Sequence, residues 1–229
     1  MIGITFALPS ESSDLVRQLR YPEHVDNLLI GKIDRREVAI VHTGVGSKNC
    51  NARLEILLHK ARPEFVITSG FAGAVSEDLH VGDLILAENF SNPRLLGLAR
   101  EILRERHARA VRLFTSPSVI DSISERDRMA RGSGAAAVDM ETGAIVSICA
   151  AHDMPLLSVR AITDTPKEPF PAPPDVLFDI EHQQTRYGRL FGYLLRHPAA
   201  IPRLLRFSRE IKQVSAKLAG AIVALVDGL

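Results

Sequence analysis

Tryptophan is absent from this sequence, and aromatic residues make up only 5% of its 229 residues. A surface that stacks the bases of single-stranded nucleic acid needs exposed aromatic rings, so this kind of binding is disfavoured. The formal net charge is only +1, which leaves no global field to attract nucleic acid or a membrane. We therefore expect no nucleic-acid partner.

Cysteines and long apolar runs are also scarce. Cys50 and Cys149 form no CxxC or Cys/His pattern, so we expect two reduced core cysteines rather than disulfides or a structural zinc site. No run of about 18 apolar residues occurs, which argues against a membrane-spanning helix. The first residues, MIGITFALPSE, lack the basic leader of a signal peptide. A cytoplasmic location is the default expectation, and neither a metal nor an organic cofactor is predicted.

Short β-rich runs alternate with helical patterns over the first 165 residues. Strands are predicted at Ile2–Leu8, Leu28–Ile33, Glu37–Val41, Phe65–Thr68, Asp83–Ala87, Val111–Phe114, Ala135–Val138 and Leu156–Ile162. Helices are predicted at Ser12–Leu19, Ser47–Ala61, Asn92–Arg109, Ser122–Arg131 and Glu141–His152. This alternation predicts a three-layer α/β fold with a central, mixed, twisted β-sheet flanked by helices. The length favours one domain over residues 1–229.

The composition changes in the last quarter of the chain. Lys167–Pro174 (KEPFPAPP) predicts an extended loop. The stretch Arg186–Lys217 carries eight basic residues and one acid, Glu210, among regularly spaced apolar residues. This pattern predicts a basic amphipathic helical segment over residues 186–229, broken near His197-Pro198. The segment either closes the fold against the sheet or presents a basic face to an anionic membrane or an acidic partner.

Two glycine motifs follow predicted strands: TGVGS at Thr43–Ser47 and SGFAGA at Ser69–Ala74. Glycine lets backbone N–H groups approach a ligand closely, and a helix N-terminus favours an anion or a hydroxyl oxygen. Neither motif fits the GxGxxG or GxxxxGK[ST] pattern, so a nicotinamide or ATP enzyme is disfavoured. Both are expected as loops beyond the carboxyl ends of strands, where open α/β sheets place their sites.

Three carboxylates are predicted at the same edge of the sheet. Glu11 follows the first strand, Glu141 lies at a strand-to-helix junction, and Asp164 lies just past a strand end. Cleavage of a glycosidic bond needs an acid for the leaving group and a carboxylate that activates or stabilises the attacking water. Simpler interpretations stay open at this point: Glu141 can oppose a helix dipole, and Asp164 can cap a loop.

The motifs around these carboxylates resemble a known family. VDMETGAI and VRAITDT are similar to the paired signatures of the nucleoside phosphorylase/nucleosidase superfamily, and SGFAGAV with the later VGDLI resembles its glycine loop and Gly-Asp pair. The similarity covers about residues 1–165 and is closest to the methylthioadenosine/S-adenosylhomocysteine nucleosidases. It implies a cofactor-independent enzyme that cleaves the N-glycosidic bond of a purine nucleoside, with adenine as the expected base. It also implies a homo-oligomer, with a dimer favoured.

The resemblance assigns roles residue by residue. Glu11 matches the carboxylate that activates water, Glu141 the one that holds the ribose hydroxyls, and Asp164 the acid that donates a proton toward N7. The other substrate-binding positions it implies are Met140 under the sugar, Arg160 and Thr163 supporting Asp164, Phe71, Ala72 and Gly73 in the glycine motif, and Val119 and Ile120 in the base-stacking segment.

Three departures from the family pattern affect the expected activity. The base-stacking segment, TSPSVI, lacks the usual aromatic residue. The places where phosphorylases keep an arginine and a serine for phosphate look like Thr68 and Phe71, and a dianion without a guanidinium is poorly held. The stretch Glu88–Thr115 is short, so the pocket for the ribose 5′ substituent is expected to be open. We therefore favour hydrolysis, with phosphorolysis and a non-catalytic nucleoside-binding protein as alternatives.

The C-terminal segment carries a second resemblance. LLRHPAAIPRLLRFSREIKQVSAKL is similar to the end of the hopanoid-associated phosphorylases, which act on an adenine nucleoside bearing a long hydrocarbon. This resemblance implies an enzyme that is cytoplasmic or peripheral to the membrane, with the basic segment as the membrane contact.

Overall fold

The computed structural model describes residues 1–44, 47–118, 120, 122–171, 193 and 196–229. Its strands are β1 (Ile2–Phe6), β2 (Arg20–Val25), β3 (Leu28–Ile33), β4 (Arg36–His42), β5 (Val66–Ala74), β6 (Leu84–Ala87), β7 (Arg109–Val111), β8 (Leu113–Thr115), β9 (Ala137–Asp139) and β10 (Leu156–Asp164). Its helices are α1 (Pro9–Val16), α2 (Ser47–Ile56), α3 (Pro93–Ile102), α4 (Ile123–Ser133), α5 (Thr142–Ala151) and α6 (Ala200–Gly228). A π-helical turn, Leu57–Ala61, continues α2, and a short 3₁₀ helix, Arg104–Arg106, follows α3.

The ten strands form one mixed sheet in the order β2-β3-β4-β1-β5-β10-β6-β7, and β9 joins β5 to β8. The pairs β4–β1, β1–β5 and β5–β10 are parallel. Because their carboxyl ends share one edge, residues that follow these strands lie close together. The hairpin pairs β2–β3 and β3–β4 are antiparallel. The predicted mixed α/β sheet is confirmed.

Helices cover both faces of the sheet, as the sequence analysis predicts. On one face, Ile4 and Val159 of the sheet pack in the same cluster as Leu15 of α1, Leu95 of α3 and Ile222 of α6. On the other face, α2 and α5 cover a second cluster with Cys50, Leu54, Val66, Ile145 and Cys149. Side chains of a strand alternate between faces, which is why β4 and β5 contribute to both clusters.

Both cysteines are free and buried, which confirms the expectation of two reduced core thiols. Burial in apolar surroundings raises the pKa of Cys50 to about 11 and that of Cys149 to about 12. Both groups therefore stay in the unreactive thiol form near neutral pH.

The helix α6 has two unlike halves. Its second half packs in the main core through Val214, Leu218, Ile222 and Leu225, so this part closes the fold. Its first half is largely exposed, and Leu205 retains 56% of its accessible surface. Within the described residues, no helix combines the length and apolar character required to cross a bilayer.

Several predicted elements are wrong in extent. The motif Ser69–Ala74 is predicted as a loop but is part of β5, because β10 pairs with it on one side and β9 pairs with its last residues. The predicted helix Asn92–Arg109 ends early: α3 stops at Ile102, and β7 begins at Arg109 to pair with β6. The edge strand β2 is not predicted, since its residues are all exposed and carry no alternating pattern.

Candidate active site

A small cleft opens at the carboxyl ends of the central parallel strands. It brings together four of the residues predicted for the site: Glu11, Phe71, Glu141 and Arg160. Its other lining residues are Ala7, Thr68, Ser69, Gly70 and Ile145.

Glu11 enters the cleft from the first turn of α1. Its Oε2 accepts hydrogen bonds from the N–H groups of Ala7 (2.9 Å) and Leu8 (3.0 Å), and its Oε1 accepts one from Phe71 (3.3 Å). These bonds fix the carboxyl group between β1 and β5. Burial nevertheless raises the pKa of Glu11, and this effect outweighs the backbone donors and the nearby charge of Arg160.

Gly70 allows the carboxyl group of Glu11 to lie directly against β5. A Cβ atom at this position would lie 3.1 Å from Oε1 of Glu11, and the backbone φ angle is +151°. A side chain at this position would be strained by the backbone conformation and would crowd the Glu11 carboxyl group by a few tenths of an ångström. The first glycine of SGFAGA is thus a close-approach position within a strand rather than part of a ligand-binding loop.

Glu141 faces the cleft from the N-cap position of α5, and its side chain makes no capping hydrogen bond. Asp139 performs that task instead, since its Oδ2 accepts the N–H of Thr142 (3.2 Å). Burial and repulsion from Asp139 and Glu11 raise the pKa of Glu141 to about 8. The carboxyl group of Glu141 is therefore not used in capping and lines the cleft.

Arg160 is held by a buried polar network, and this corrects its predicted support of Asp164. Its Nε donates to Asp139 Oδ2 (3.0 Å), and its terminal nitrogens donate to Thr142 Oγ1 (2.7 Å) and Thr68 Oγ1 (3.0 Å). Arg160 and Asp139 are both buried. The guanidinium thus compensates Asp139 and anchors the start of α5. Arg160 and Asp164 both belong to β10, but the side chain of Arg160 points toward α5, and this explains why its partners are Asp139 and Thr142.

Asp164 pairs instead with Arg126, a residue of α4 that the sequence analysis does not identify. Arg126 Nη2 donates to Asp164 Oδ2, and Nη1 donates to the carbonyl oxygen of Ala74 (2.7 Å). Both side chains of this ion pair are almost fully buried, at 1% and 3% exposure. The hydroxyl of Thr163 donates to Asp164 Oδ1 (3.0 Å). The carboxyl group of Asp164 is therefore held from both sides.

Gly73 makes room for this carboxyl group. A Cβ atom at Gly73 would lie 2.9 Å from Asp164 Oδ2 and 3.3 Å from an Arg126 nitrogen. Gly73 thus leaves space for the carboxyl group of Asp164, as Gly70 does for that of Glu11. The two glycines admit two carboxyl groups beside the same strand.

The remaining predicted positions lie around this centre. Met140 is half-buried between β9 and α5, and its N–H donates to the Glu141 carboxyl group. Ala72 is buried in an apolar cluster with Ile85 and Ile162. Ile120 packs against Val75 and Val138 rather than lining the cleft. Val119 lies outside the described residues.

The structure adds three polar residues to the site: Arg126, Asp139 and Thr142. Asp139 and Thr142 flank Met140 and Glu141 in VDMETGAI, so the motif contained a signal for them. No sequence signal marks Arg126, because its neighbours Glu125, Asp127 and Arg128 are exposed and α4 has the pattern of a charged helix that faces solvent.

Comparison with known proteins places this geometry in a family. The chain is 25% identical over 196 residues to the 5′-methylthioadenosine/S-adenosylhomocysteine nucleosidase of Staphylococcus epidermidis, covering 72% of this chain and 86% of the relative. The corresponding nucleosidase of Staphylococcus aureus is 26% identical over the same shares.

Solved structures share the fold. The nucleosidase of Campylobacter jejuni superposes with a TM-score of 0.75 at 19% identity, covering 100% of this chain and 99% of that one. Futalosine hydrolase of Helicobacter pylori gives a TM-score of 0.73 at 16% identity, covering 100% and 97%.

The family model of the phosphorylase superfamily matches residues 1–92 and 88–196. These ranges contain the cleft, both close-approach glycines and both buried ion pairs. With the mixed sheet and the carboxylates at its edge already in place, the match leads to one conclusion: the chain belongs to the phosphorylase superfamily.

Proposed function

We propose that this protein hydrolyses the N-glycosidic bond of a purine nucleoside in the cleft beside Glu11 and Glu141. The observation that carries the proposal is the charge balance of the cleft. Two carboxyl groups with raised pKa line it, while the guanidinium of Arg160 is already engaged by Asp139. Glycosidic cleavage places positive charge on the sugar, and these carboxyl groups stabilise that charge when they are ionised. The names of the relatives favour an adenine nucleoside as the first substrate to test.

In the proposed reaction, water attacks the anomeric carbon while the bond from that carbon to the purine nitrogen breaks. Glu11 accepts a proton from the water, and its raised pKa moves its basicity toward neutral pH. Glu141 accepts hydrogen bonds from the ribose hydroxyls, and Asp164 transfers a proton to N7 of the leaving base. The products are a free sugar and a purine. Solvent then restores the proton of Asp164 and takes up the one held by Glu11.

Arg126 acts in this proposal as a positioning residue. Its guanidinium and the Thr163 hydroxyl hold the two oxygens of Asp164 in place. A guanidinium also stabilises an ionised carboxylate. Asp164 therefore has to take up a proton from solvent before it can pass one to N7, and this uptake requires the ion pair with Arg126 to loosen.

Hydrolysis is favoured over phosphorolysis because a phosphate dianion would meet carboxyl groups in this cleft. Among the described lining residues, the one cation is Arg160, and its terminal nitrogens are bonded to Thr68 and Thr142. Phe71 packs against the main core, and its backbone N–H is engaged by Glu11. A dianion without a charged donor is poorly held.

We expect free sugar as the product in phosphate-free buffer, with added phosphate leaving the rate nearly unchanged. The measurement is product analysis on adenine, guanine and hypoxanthine nucleosides with and without phosphate. Sugar 1-phosphate formed with strict phosphate dependence would establish phosphorolysis instead. Tight nucleoside binding without any turnover would establish a binding protein.

A second proposal concerns the exposed first half of α6. Ile201, Leu205, Arg209 and Lys212 are exposed and are spaced by four, four and three residues, which places them on one side of the helix. An apolar tip followed by cations is the pattern of a helix that lies on an anionic lipid surface. We propose that this face binds such a surface weakly and gives access to a nucleoside that carries a long hydrocarbon.

Charge reversal of Arg209 and Lys212 to glutamate tests the membrane proposal. Arg206 is left unchanged because it forms ion pairs with Glu168 and Glu210. Each basic residue near an anionic bilayer contributes about 1 kcal/mol, so we expect the variant with both charges reversed to lose co-sedimentation with phosphatidylserine vesicles at low salt.

The melting temperature and the turnover of a small soluble nucleoside should stay near wild type, because the buried half of α6 is untouched. Neutral phosphatidylcholine vesicles serve as the control. If the wild-type protein does not bind anionic vesicles even at low salt, the exposed face has no membrane role.

A further inference from the structure

Three potential metal ligands meet on the surface, at the ends of α2 and α5 that point away from the cleft. Glu55 lies in the last turn of α2, His59 lies in the π-helical turn that continues it, and His152 is the C-cap of α5. The cluster is remote from the cleft because Glu141 begins α5 there, and the ten residues of α5 span roughly 15 Å. The proposed hydrolysis uses none of these three residues.

The ligand atoms already converge. His152 Nε2 lies 3.0 Å from Glu55 Oε1, and His59 Nε2 lies 3.3 Å from Glu55 Oε2. All three donor groups lie within 4.8 Å of one another. Zinc–ligand bonds of about 2.1 Å place neighbouring ligands of a tetrahedral ion about 3.4 Å apart, so small side-chain rotations suffice to bring all three onto one ion. The imidazole rings lie edge to face, with centroids 5.6 Å apart.

The backbone around the cluster favours a cation. The last carbonyl groups of a helix carry partial negative charge, and here the ends of α2 and α5 lie side by side. Lys60, which follows His59 in the chain, is directed to Asp26 at 3.2 Å. The π-helical turn Leu57–Ala61 widens the helix at His59, and such turns recur at functional sites.

We propose that Glu55, His59 and His152 form a binding site for a divalent transition-metal ion such as Zn²⁺, which joins the C-terminal ends of α2 and α5. Two imidazoles and one carboxylate are a common ligand set for such ions. Three protein ligands leave at least one coordination position to water. Because the helices pack through Leu54 and Cys149 on the same side of the sheet, a bound ion links two segments that are far apart in the chain.

The experiment uses the full, untagged protein after treatment with a chelator, titrated with ZnCl₂ by calorimetry and by equilibrium dialysis. We expect wild type to bind one zinc ion per chain and to melt at a higher temperature with zinc. The double variant His59→Gln/His152→Gln should lose at least about tenfold in affinity and the thermal shift. These side chains are partly or largely exposed, at 32% for His152 and 72% for His59, so the variant keeps its fold.

His80→Gln is the matched control. His80 is an exposed histidine that lies 3.8 Å from a carboxylate oxygen of Asp83, and within the described part of the chain it belongs to no cluster of potential metal ligands. The control should bind zinc as wild type does. Equal zinc binding by wild type and the double variant, or no binding by wild type, would overturn the proposal. Purine release by the double variant should equal that of wild type, so the result is independent of the proposed hydrolysis.

Discussion

Replacing Asp164 with asparagine is expected to lower the rate of purine release by about 10²–10⁴-fold. Asparagine keeps the shape and the hydrogen bond from Thr163 but has no acidic proton for the leaving base. The variant also leaves the buried guanidinium of Arg126 without its counter-charge, and an uncompensated buried charge costs about 3–5 kcal/mol of stability. Turnover and substrate affinity are therefore measured at a temperature where urea titration shows the variant to be folded.

A double-mutant cycle separates the lost chemistry from the lost ion pair. Arg126→Gln alone should destabilise the protein, reduce turnover by less than Asp164→Asn does, and change the pH profile of kcat. The double variant Arg126→Gln/Asp164→Asn should regain much of the melting temperature, because neither charge is left unpaired. Its turnover should remain at the level of Asp164→Asn. Recovery of turnover along with stability would show that Asp164 is structural.

Replacing Glu141 with glutamine is expected to weaken both binding and turnover of ribonucleosides. An ionised carboxylate accepts hydrogen bonds from both ribose hydroxyls, and these bonds are stronger than those made by an amide. Because the pKa of Glu141 is about 8, the ionised form grows as pH rises through this value. We expect kcat/KM of wild type to rise with it and this limb to be absent from the variant.

The 2′-deoxy substrate is the control for the role of Glu141, since it lacks one of the two hydroxyls. The variant should lose less activity toward it than toward the ribonucleoside. An identical loss on both substrates would contradict the assigned contact with the ribose.

The same group links pH to stability. In the unfolded chain Glu141 ionises near its ordinary value of 4.5, whereas in the folded protein it holds its proton up to about 8. The folded state therefore binds more protons between these values, and the free energy of unfolding falls as pH rises from about 4.5 to 8. The side chain keeps some solvent contact, so the expected change is on the order of 2 kcal/mol. Urea unfolding of Glu141→Gln should show a smaller decline, while Glu105→Gln, an exposed control, should behave as wild type.

How far the sequence predicts the site differs from residue to residue. Glu11, Glu141 and Asp164 were expected at one edge of the sheet, and Glu11 and Glu141 do line one cleft. The sequence does not predict the partner of Asp164, because the residues beside Arg126 in its helix are charged and exposed. Only the docking of α4 beside β5 distinguishes this arginine from those around it. The glycines of SGFAGA are evident in the sequence, but the sequence does not show why they are needed. In the structure, Gly70 and Gly73 leave space for carboxyl groups from α1 and β10.

The start of α5 is a second place where the sequence does not assign a role to a particular residue. The sequence offers both Asp139 and Glu141 as acids near the start of α5, and local preference cannot assign the capping role. The structure gives that role to Asp139, which also neutralises Arg160. As a result, the carboxyl group of Glu141 lines the cleft and has a raised pKa.

By itself the sequence determined the alternation of strands and helices, the three-layer α/β class and the family, because these rest on local periodicity and on contiguous motifs such as VDMETGAI and VRAITDT. It also determined which carboxylates follow strands. Only the tertiary structure decided which charge neutralises which, Arg160 with Asp139 and Arg126 with Asp164, and which side chains meet at Glu55. The reason is that an ion pair depends on the approach of side chains from segments distant in the chain, and burial sets its strength. Neither distance nor burial is a property of local sequence.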